Sequence, residues 1–467
     1  MDYIGGKMAK QTYDYDLIAI GSGAAGSVAA DIVARAGKRV AIVENDALGG
    51  ECPNWGCVPT KAMLHAANIY DEARQAQRFG IRSAALGYNY PTLKAWKELA
   101  VKRAGSNDSE QYYRSQNIDL YSGAAHFISP HEITVNRRHL SAANFLIATG
   151  SHWMVPEIDG IDTVPYLTAR SALELNRPPK SLFIVGGGAV GCEFADLFSI
   201  FGSKVYIADI APRLLPREDE EASHLIETFY KTKRGMEILN KTKVISVARE
   251  GVLTRVTYLR GGEEHSVKVE QLLLAAGKVP NADIGLENAG VEYNSRGIEV
   301  DSQLQTTAKH IYAAGDVLGR YLFTHTAVYE SRIVAHNLLH RNKFSPDYSA
   351  VPRVTFVTPE VASVGMSEAD CMRRDLPINK AVAPINIIGR SNIADTRDGF
   401  AKVITDKKGV LIGATVVAPR AGELIHELTL AVQHKMLASD VANTLHAFPS
   451  WNEVIRVACA KAAAQLQ

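Results

Sequence analysis

At 467 residues the chain is longer than one hydrophobic core usually supports, which predicts roughly two to four compact units. An apolar fraction of 46% with 22% charged residues is ordinary for a globular protein and excludes an intrinsically disordered chain. With 51 basic and 50 acidic residues the formal charge is +1, which excludes a strong field for nucleic acid or an anionic membrane and leaves small molecules or small proteins as partners.

In chain order, Met1 to Tyr15 is polar and lacks the apolar stretch of a secretion signal, and no apolar run reaches membrane-spanning length. A cytoplasmic location is therefore expected. An apolar strand, Leu17 to Ile20, then enters Gly21-Ser22-Gly23-Ala24-Ala25-Gly26. An alanine-rich helix, Gly37, and a second strand, Val40 to Val43, lead to Glu44. The same plan recurs further on: Leu182 to Val185, Gly186-Gly187-Gly188-Ala189-Val190-Gly191, a helix to Phe201, Gly202, and Val205 to Ala208, ending on Asp209. Each acid falls at the same distance from the first glycine of its loop.

A strand feeding such a turn at a helix N-terminus aims backbone N–H groups and a positive dipole end at a pyrophosphate, and the acid can accept from ribose hydroxyls. Two loops imply two dinucleotides. Asp209 disfavours a 2′-phosphate and so favours NAD(H), although Arg213 and Arg217 just beyond it could pair with one. The glycines alone do not assign the cofactors to the loops.

Between the two units lies Gly49-Gly50-Glu51-Cys52-Pro53-Asn54-Trp55-Gly56-Cys57-Val58-Pro59-Thr60-Lys61, followed by a helical run, Ala62 to Tyr70. Cys57 is thus expected at a helix N-terminus with Lys61 one turn on, both of which favour a thiolate. Five cysteines in so long a chain do not suggest a disulfide-stapled scaffold. A bridge across so short a loop adds little chain-entropy stability, so easy reduction explains the pair better than a structural role. Zinc would need two further ligands that the spacing does not supply, and no metal site is expected. Cys192, Cys371 and Cys459 read as ordinary thiols. Further strands end on small residues and glycine, at Phe145 to Gly150, Leu272 to Gly277 and Ile311 to Asp316, where a cofactor can approach the backbone. From about Val351 the pattern becomes α+β, with strands at Val354 to Val357, Ala401 to Ile404 and Val410 to Val417, then helices from Ala421 and Ala438.

The cysteine segment, the first glycine loop, Thr149-Gly150-Ser151, the second loop, the AAGD ending at Asp316 and VPRVTFVTPEVASVG together resemble the flavoprotein disulfide reductases over nearly the whole chain. That resemblance implies an α/β fold with two Rossmann-like dinucleotide-binding domains and a C-terminal α+β dimerisation domain. The expected divisions are 1–160 with 281–347 for FAD, 161–280 for NAD(H), and 348–467 for the interface of a homodimer. FAD is then expected on Gly21 to Gly26, Glu44, Gly50, Glu51, Cys52, Lys61, Ala125, Thr149, Gly150, Ser151, Asp316 and Ala327. NAD(H) is expected on Gly186, Gly188 to Gly191, Glu193, Asp209, Val244 and Gly277, and an ion pair between Lys61 and Glu193. Electrons would pass between NAD(H), flavin and a Cys52–Cys57 disulfide, with Cys57 the flavin-side thiolate and Cys52 the thiol that meets the substrate.

The overall pattern is of the dihydrolipoamide dehydrogenase type, but one position departs from it. Disulfide-handling members carry His-Pro followed one turn later by Glu; here Pro449 and Glu453 match, while the histidine position is Phe448. Loss of a positioned base typically costs about 10²–10⁴-fold in rate. His446 could reach the site instead; the acceptor could be a metal ion or quinone that needs no protein base; or the chain could be a flavin-bearing NADH sensor with little turnover. Against mercury stands the lone Cys459 where an adjacent cysteine pair would be needed.

Overall fold

The computed structural model describes residues 12–82, 86–105 and 109–466. Residues 1–11, most of the segment expected to lack a secretion signal, lie outside them. Among the described residues no helix is long and apolar enough to cross a membrane. The chain divides into two compact units.

The first unit comprises residues 1–58, 101–152 and 278–346. Its sheet runs in the order Ile118–Ser122, Val40–Glu44, Tyr15–Ile20, Arg138–Ile147, with Ile311–Ala313 also pairing in parallel to Arg138–Ile147. Neighbours in this set are parallel, in register Leu17 with Val40 and Ile18 with Phe145. Parallel strands are covered on both faces, hence the unbroken apolar runs and the fully buried Ile18, Ile42, Phe145 and Leu146. An antiparallel extension, Glu132–Val135 and Ala125–Ser129, completes the sheet. The helices Ala24–Arg35 and Thr324–Leu339 pack on each other.

The second unit comprises residues 59–100, 153–277 and 347–467. A four-stranded parallel sheet takes the order Glu237–Leu239, Lys204–Ala208, Ser181–Val185, Gln271–Leu274. A separate antiparallel sheet is formed by Thr242–Glu250, Leu253–Arg260 and Glu263–Val269. A five-stranded sheet, in the order Arg353–Thr355, Glu360–Gly365, Leu411–Ala418, Phe400–Asp406, Ile378–Pro384, carries the helices Ala421–Gln433 and Glu453–Ala464 against it.

Three strands stop short of the expected glycines. They end at Ile147, Leu274 and Ala313, and the small residues that follow leave the ladder. The second glycine loop shows why its residues must lack side chains. A Cβ on Gly186 would lie 2.3 Å from the Ala275 carbonyl oxygen, and one on Gly191 would lie 1.9 Å from the Gly186 carbonyl oxygen. Gly188 has nothing within 4 Å. Gly191→Ala is therefore expected to destabilise the protein by about 1–3 kcal/mol, while Gly188→Ala leaves stability near the parent value. Denaturant midpoints of the two variants check this.

Candidate active site

The two glycine loops reproduce one another atom by atom within their own units. In the first, a Cβ on Gly21 would meet the Ala148 carbonyl oxygen at 2.2 Å and one on Gly26 the Gly21 carbonyl oxygen at 1.8 Å, so strand, loop and helix can close only on glycine. Glu44 Oε2 accepts from the Ser22 N–H at 2.8 Å and its hydroxyl at 2.6 Å, and Oε1 accepts from Asp46 N–H at 2.9 Å. In the second, Asp209 Oδ2 accepts from Gly187 N–H at 2.6 Å and Oδ1 from Ala211 N–H at 2.7 Å. Each acid is thereby aimed along its loop. The helices Ala24–Arg35 and Ala189–Ile200 start on Gly23 and Gly188 with no side-chain cap, which leaves their first N–H groups free to face a phosphate.

These features fit a dinucleotide at each loop. The first site continues around Gly50, whose Cβ would lie only 2.8 Å from the Gly23 Cα, and Gly49, whose N–H donates to Ser22 Oγ at 3.1 Å. Ser151 Oγ donates to Asp316 Oδ2 at 2.6 Å, and Thr149 Oγ1 to the Asn281 carbonyl at 2.6 Å. Gly150 takes φ 70° with open space where a Cβ would be. Ala327 closes on Gly315 behind the Asp316 turn, and Ala125 is buried in the antiparallel extension of the sheet. In the second unit, Val244 is buried beside a bulge in its strand, and Gly277, at φ 123°, accepts from Met154 N–H at 3.0 Å.

The cysteines are brought together by a short helical turn and the start of a helix. Glu51–Asn54 forms a single short helical turn, after which Trp55 N–H and Gly56 N–H both donate to the Glu51 carbonyl, at 2.9 and 2.7 Å. This reversal brings Cys57 back towards Cys52 and starts the helix Cys57–Gln75 at Cys57 itself, as expected. A hydrogen bond to Cys57 and burial push the Cys52 thiol well up. Thr324 Oγ1, at the N-terminus of the helix Thr324–Leu339, lies 3.8 Å from Cys57 Sγ. Two helix N-termini thus meet at one sulfur.

Lys61, in the second unit, bonds Glu193 Oε2 at 2.6 Å, and Glu193 Oε1 accepts from Phe356 N–H at 3.0 Å. The Glu193 side chain is 4% exposed and that of Lys61 32%. Cys192, Cys371 and Cys459 are buried, and burial raises all three thiols, Cys459 to about 12.

Phe448 is 78% exposed, its ring edge against Gly389. Glu453 opens the helix Glu453–Ala464 with Oε2 buried and without a hydrogen-bond partner. His446 has both ring nitrogens engaged, Nε2 with Glu427 Oε1 at 2.8 Å and Nδ1 with the Thr444 carbonyl at 2.8 Å. Glu427 also accepts from Asn452 Nδ2 at 2.8 Å. Two residues beside the cysteine loop had no signal in the sequence: Thr324, and Lys278, which pairs with Glu51 and Asp316.

Two neighbouring thiols and two dinucleotide loops in one chain define a pyridine-nucleotide-dependent dithiol flavoprotein. The model for pyridine nucleotide-disulphide oxidoreductases matches residues 15–331, and that for their dimerisation domain matches residues 351–459. The chain belongs to this family, whose members use FAD and NAD(P)H. It is 33% identical to a dihydrolipoyl dehydrogenase of Chlamydia pneumoniae, over 95% of this chain and 96% of that one. It is likewise 33% identical to a mercuric reductase of Staphylococcus aureus, over 95% of this chain and 82% of the relative. The structure of a Cu(II) complex of the HOCl-induced flavoprotein disulfide reductase RclA from Escherichia coli superposes with a TM-score of 0.85 at 30% identity, covering 96% of this chain and all of that one.

Lys61→Met would leave the buried Glu193 carboxyl with the Phe356 N–H and without its ammonium partner. We expect it to destabilise the protein by about 2–4 kcal/mol, the partial exposure of Lys61 holding the cost to that range. Glu193→Gln, which keeps an acceptor for Phe356 N–H, is expected to cost less. Chemical denaturation of both variants tests this order.

Proposed function

We propose that this chain is an NADH-dependent FAD oxidoreductase whose Cys52–Cys57 dithiol passes electrons to a thiophilic metal ion such as Cu(II), rather than to a disulfide. The observation that carries this reading is Phe448, exposed where disulfide-handling members have a histidine, while a buried Glu453 carboxylate oxygen has no hydrogen-bond partner. Exchange with a disulfide substrate needs a proton moved onto or off the substrate sulfur, and phenylalanine can do neither. Delivery to a metal ion does not: two thiolates become a disulfide, two electrons go to two Cu(II), and the thiol protons leave to water. The mercuric reductase relatives and the Cu(II) complex of RclA are consistent with that chemistry.

FAD, when bound, supplies hydride acceptance from NADH and passage of the electron pair to the thiols. The residues around Gly21 to Gly26, Glu44, Thr149 to Ser151 and Asp316 hold it. Gly186 to Gly191 and Asp209 hold NAD(H), with Asp209 setting the preference against a 2′-phosphate. Cys57 carries the thiolate, stabilised by two helix ends; Cys52 faces the acceptor; Lys61 and Glu193 fix each other at the head of their helices. The three-domain division at 1–160 with 281–347, 161–280 and 348–467 belongs to this reading, as does a cytoplasmic homodimer in which residues 351–459 pair two copies.

A second reading is dihydrolipoamide oxidation, favoured by the dihydrolipoyl dehydrogenase relatives and by the His446–Glu427 pair. NADH and NADPH oxidation measured with Cu(II), Hg(II), a quinone, lipoamide and glutathione disulfide separates the two. We expect turnover with a metal ion, NADH preferred, and lipoamide turnover that rises by about 10²-fold or more in Phe448→His. Efficient lipoamide turnover by the parent would establish the second reading. No turnover with any acceptor would make the chain a sensor.

A further inference from the structure

Glu51 is the carboxylate adjacent to Cys52, and an uncompensated negative charge there would oppose a thiolate in the pair. The first unit answers it with one ammonium. Lys278 Nζ bonds Glu51 Oε2 and lies 3.4 Å from Asp316 Oδ2, the oxygen that also accepts from Ser151. The Lys278 side chain is 14% exposed. Burial works against its charge, yet Glu51 and Asp316 outweigh burial and hold the ammonium above its ordinary pKa.

The three residues come from separate pieces of chain. Glu51 begins the turn that carries Cys52, Lys278 begins the short strand Lys278–Pro280, and Asp316 begins the turn Asp316–Leu318. Glu51 is tied in twice, since its carbonyl also takes the Trp55 and Gly56 N–H groups that close the cysteine loop. Movement of its side chain is thus coupled to the loop that sets the sulfur positions.

We propose that Lys278 is a positioning residue for the redox pair: it neutralises Glu51 beside Cys52 and ties the cysteine loop to the Asp316 turn. It acts through Glu51. The inference rests on Cys52 and Cys57 being the reactive centre, and not on which acceptor they serve.

The test is the pH profile of iodoacetamide alkylation of the Cys52–Cys57 pair in the chemically reduced holoenzyme, mapped by mass spectrometry. Lys278→Met is expected to move the midpoint upward by about one pH unit. Lys278→Arg should keep the parent midpoint, and the double variant Glu51→Gln/Lys278→Met should return to it, because anion and cation have gone together. A Lys278→Met profile that overlays the parent, or a double variant displaced as far as Lys278→Met, overturns the proposal. Should Lys278→Met not fold, Glu51→Gln alone decides: a downward shift supports the proposal and an unchanged midpoint refutes it. No acceptor enters this measurement, so a failure of the metal-ion reading leaves it standing.

Discussion

The chemistry of this chain depends on a tight reversal between Cys52 and Cys57. The Glu51 carbonyl collects two N–H groups, from Trp55 and Gly56, and Gly56 leaves little room for a side chain: a Cβ there would sit 3.0 Å from that same carbonyl oxygen. The reversal delivers Cys57 to the first position of a 19-residue helix and near the start of a second, 16-residue one. Both dipoles favour negative charge at that sulfur. Its neighbour and burial push the Cys52 thiol up.

The glycine loops impose a different kind of constraint, one of exclusion. At Gly21, Gly26, Gly186 and Gly191 a carbonyl oxygen occupies the space a Cβ would need, whereas Gly188 is open. The first kind of glycine builds the turn; the second leaves space for a ligand. Such requirements are local, which is why both loops, their acids and the helix start at Cys57 were legible in the sequence. Lys278 and Thr324 were not, because they reach the cysteines from distant segments and carry no pattern of their own. The antiparallel sheet over Thr242–Val269 was missed for another reason: its strands, such as EEHSVKV, are too polar to show a buried face. Strand ends were overread, because small residues after Ile147, Leu274 and Ala313 continue the apolar run without continuing the ladder.

Phe448 links sequence and chemistry most directly. The departure was visible as one residue in a motif, and the structure adds that its ring is exposed, that one Glu453 carboxylate oxygen has no hydrogen-bond partner, and that both nitrogens of His446 are engaged with other groups. Under the proposed reading the features that favour a thiolate are present, while position 448 carries no group that could move a proton at a substrate sulfur. That contrast narrows the acceptor by the chemistry it would require.

The central claim is that electrons from NADH reach Cys52 and Cys57. The most direct measurement is an anaerobic count of alkylatable thiols in the folded holoenzyme before and after one equivalent of NADH, without any acceptor. The account predicts two new thiols per chain, both mapping to Cys52 and Cys57, with Cys192, Cys371 and Cys459 unlabelled throughout. Oxidation of NADH with no new thiols at this pair would contradict it.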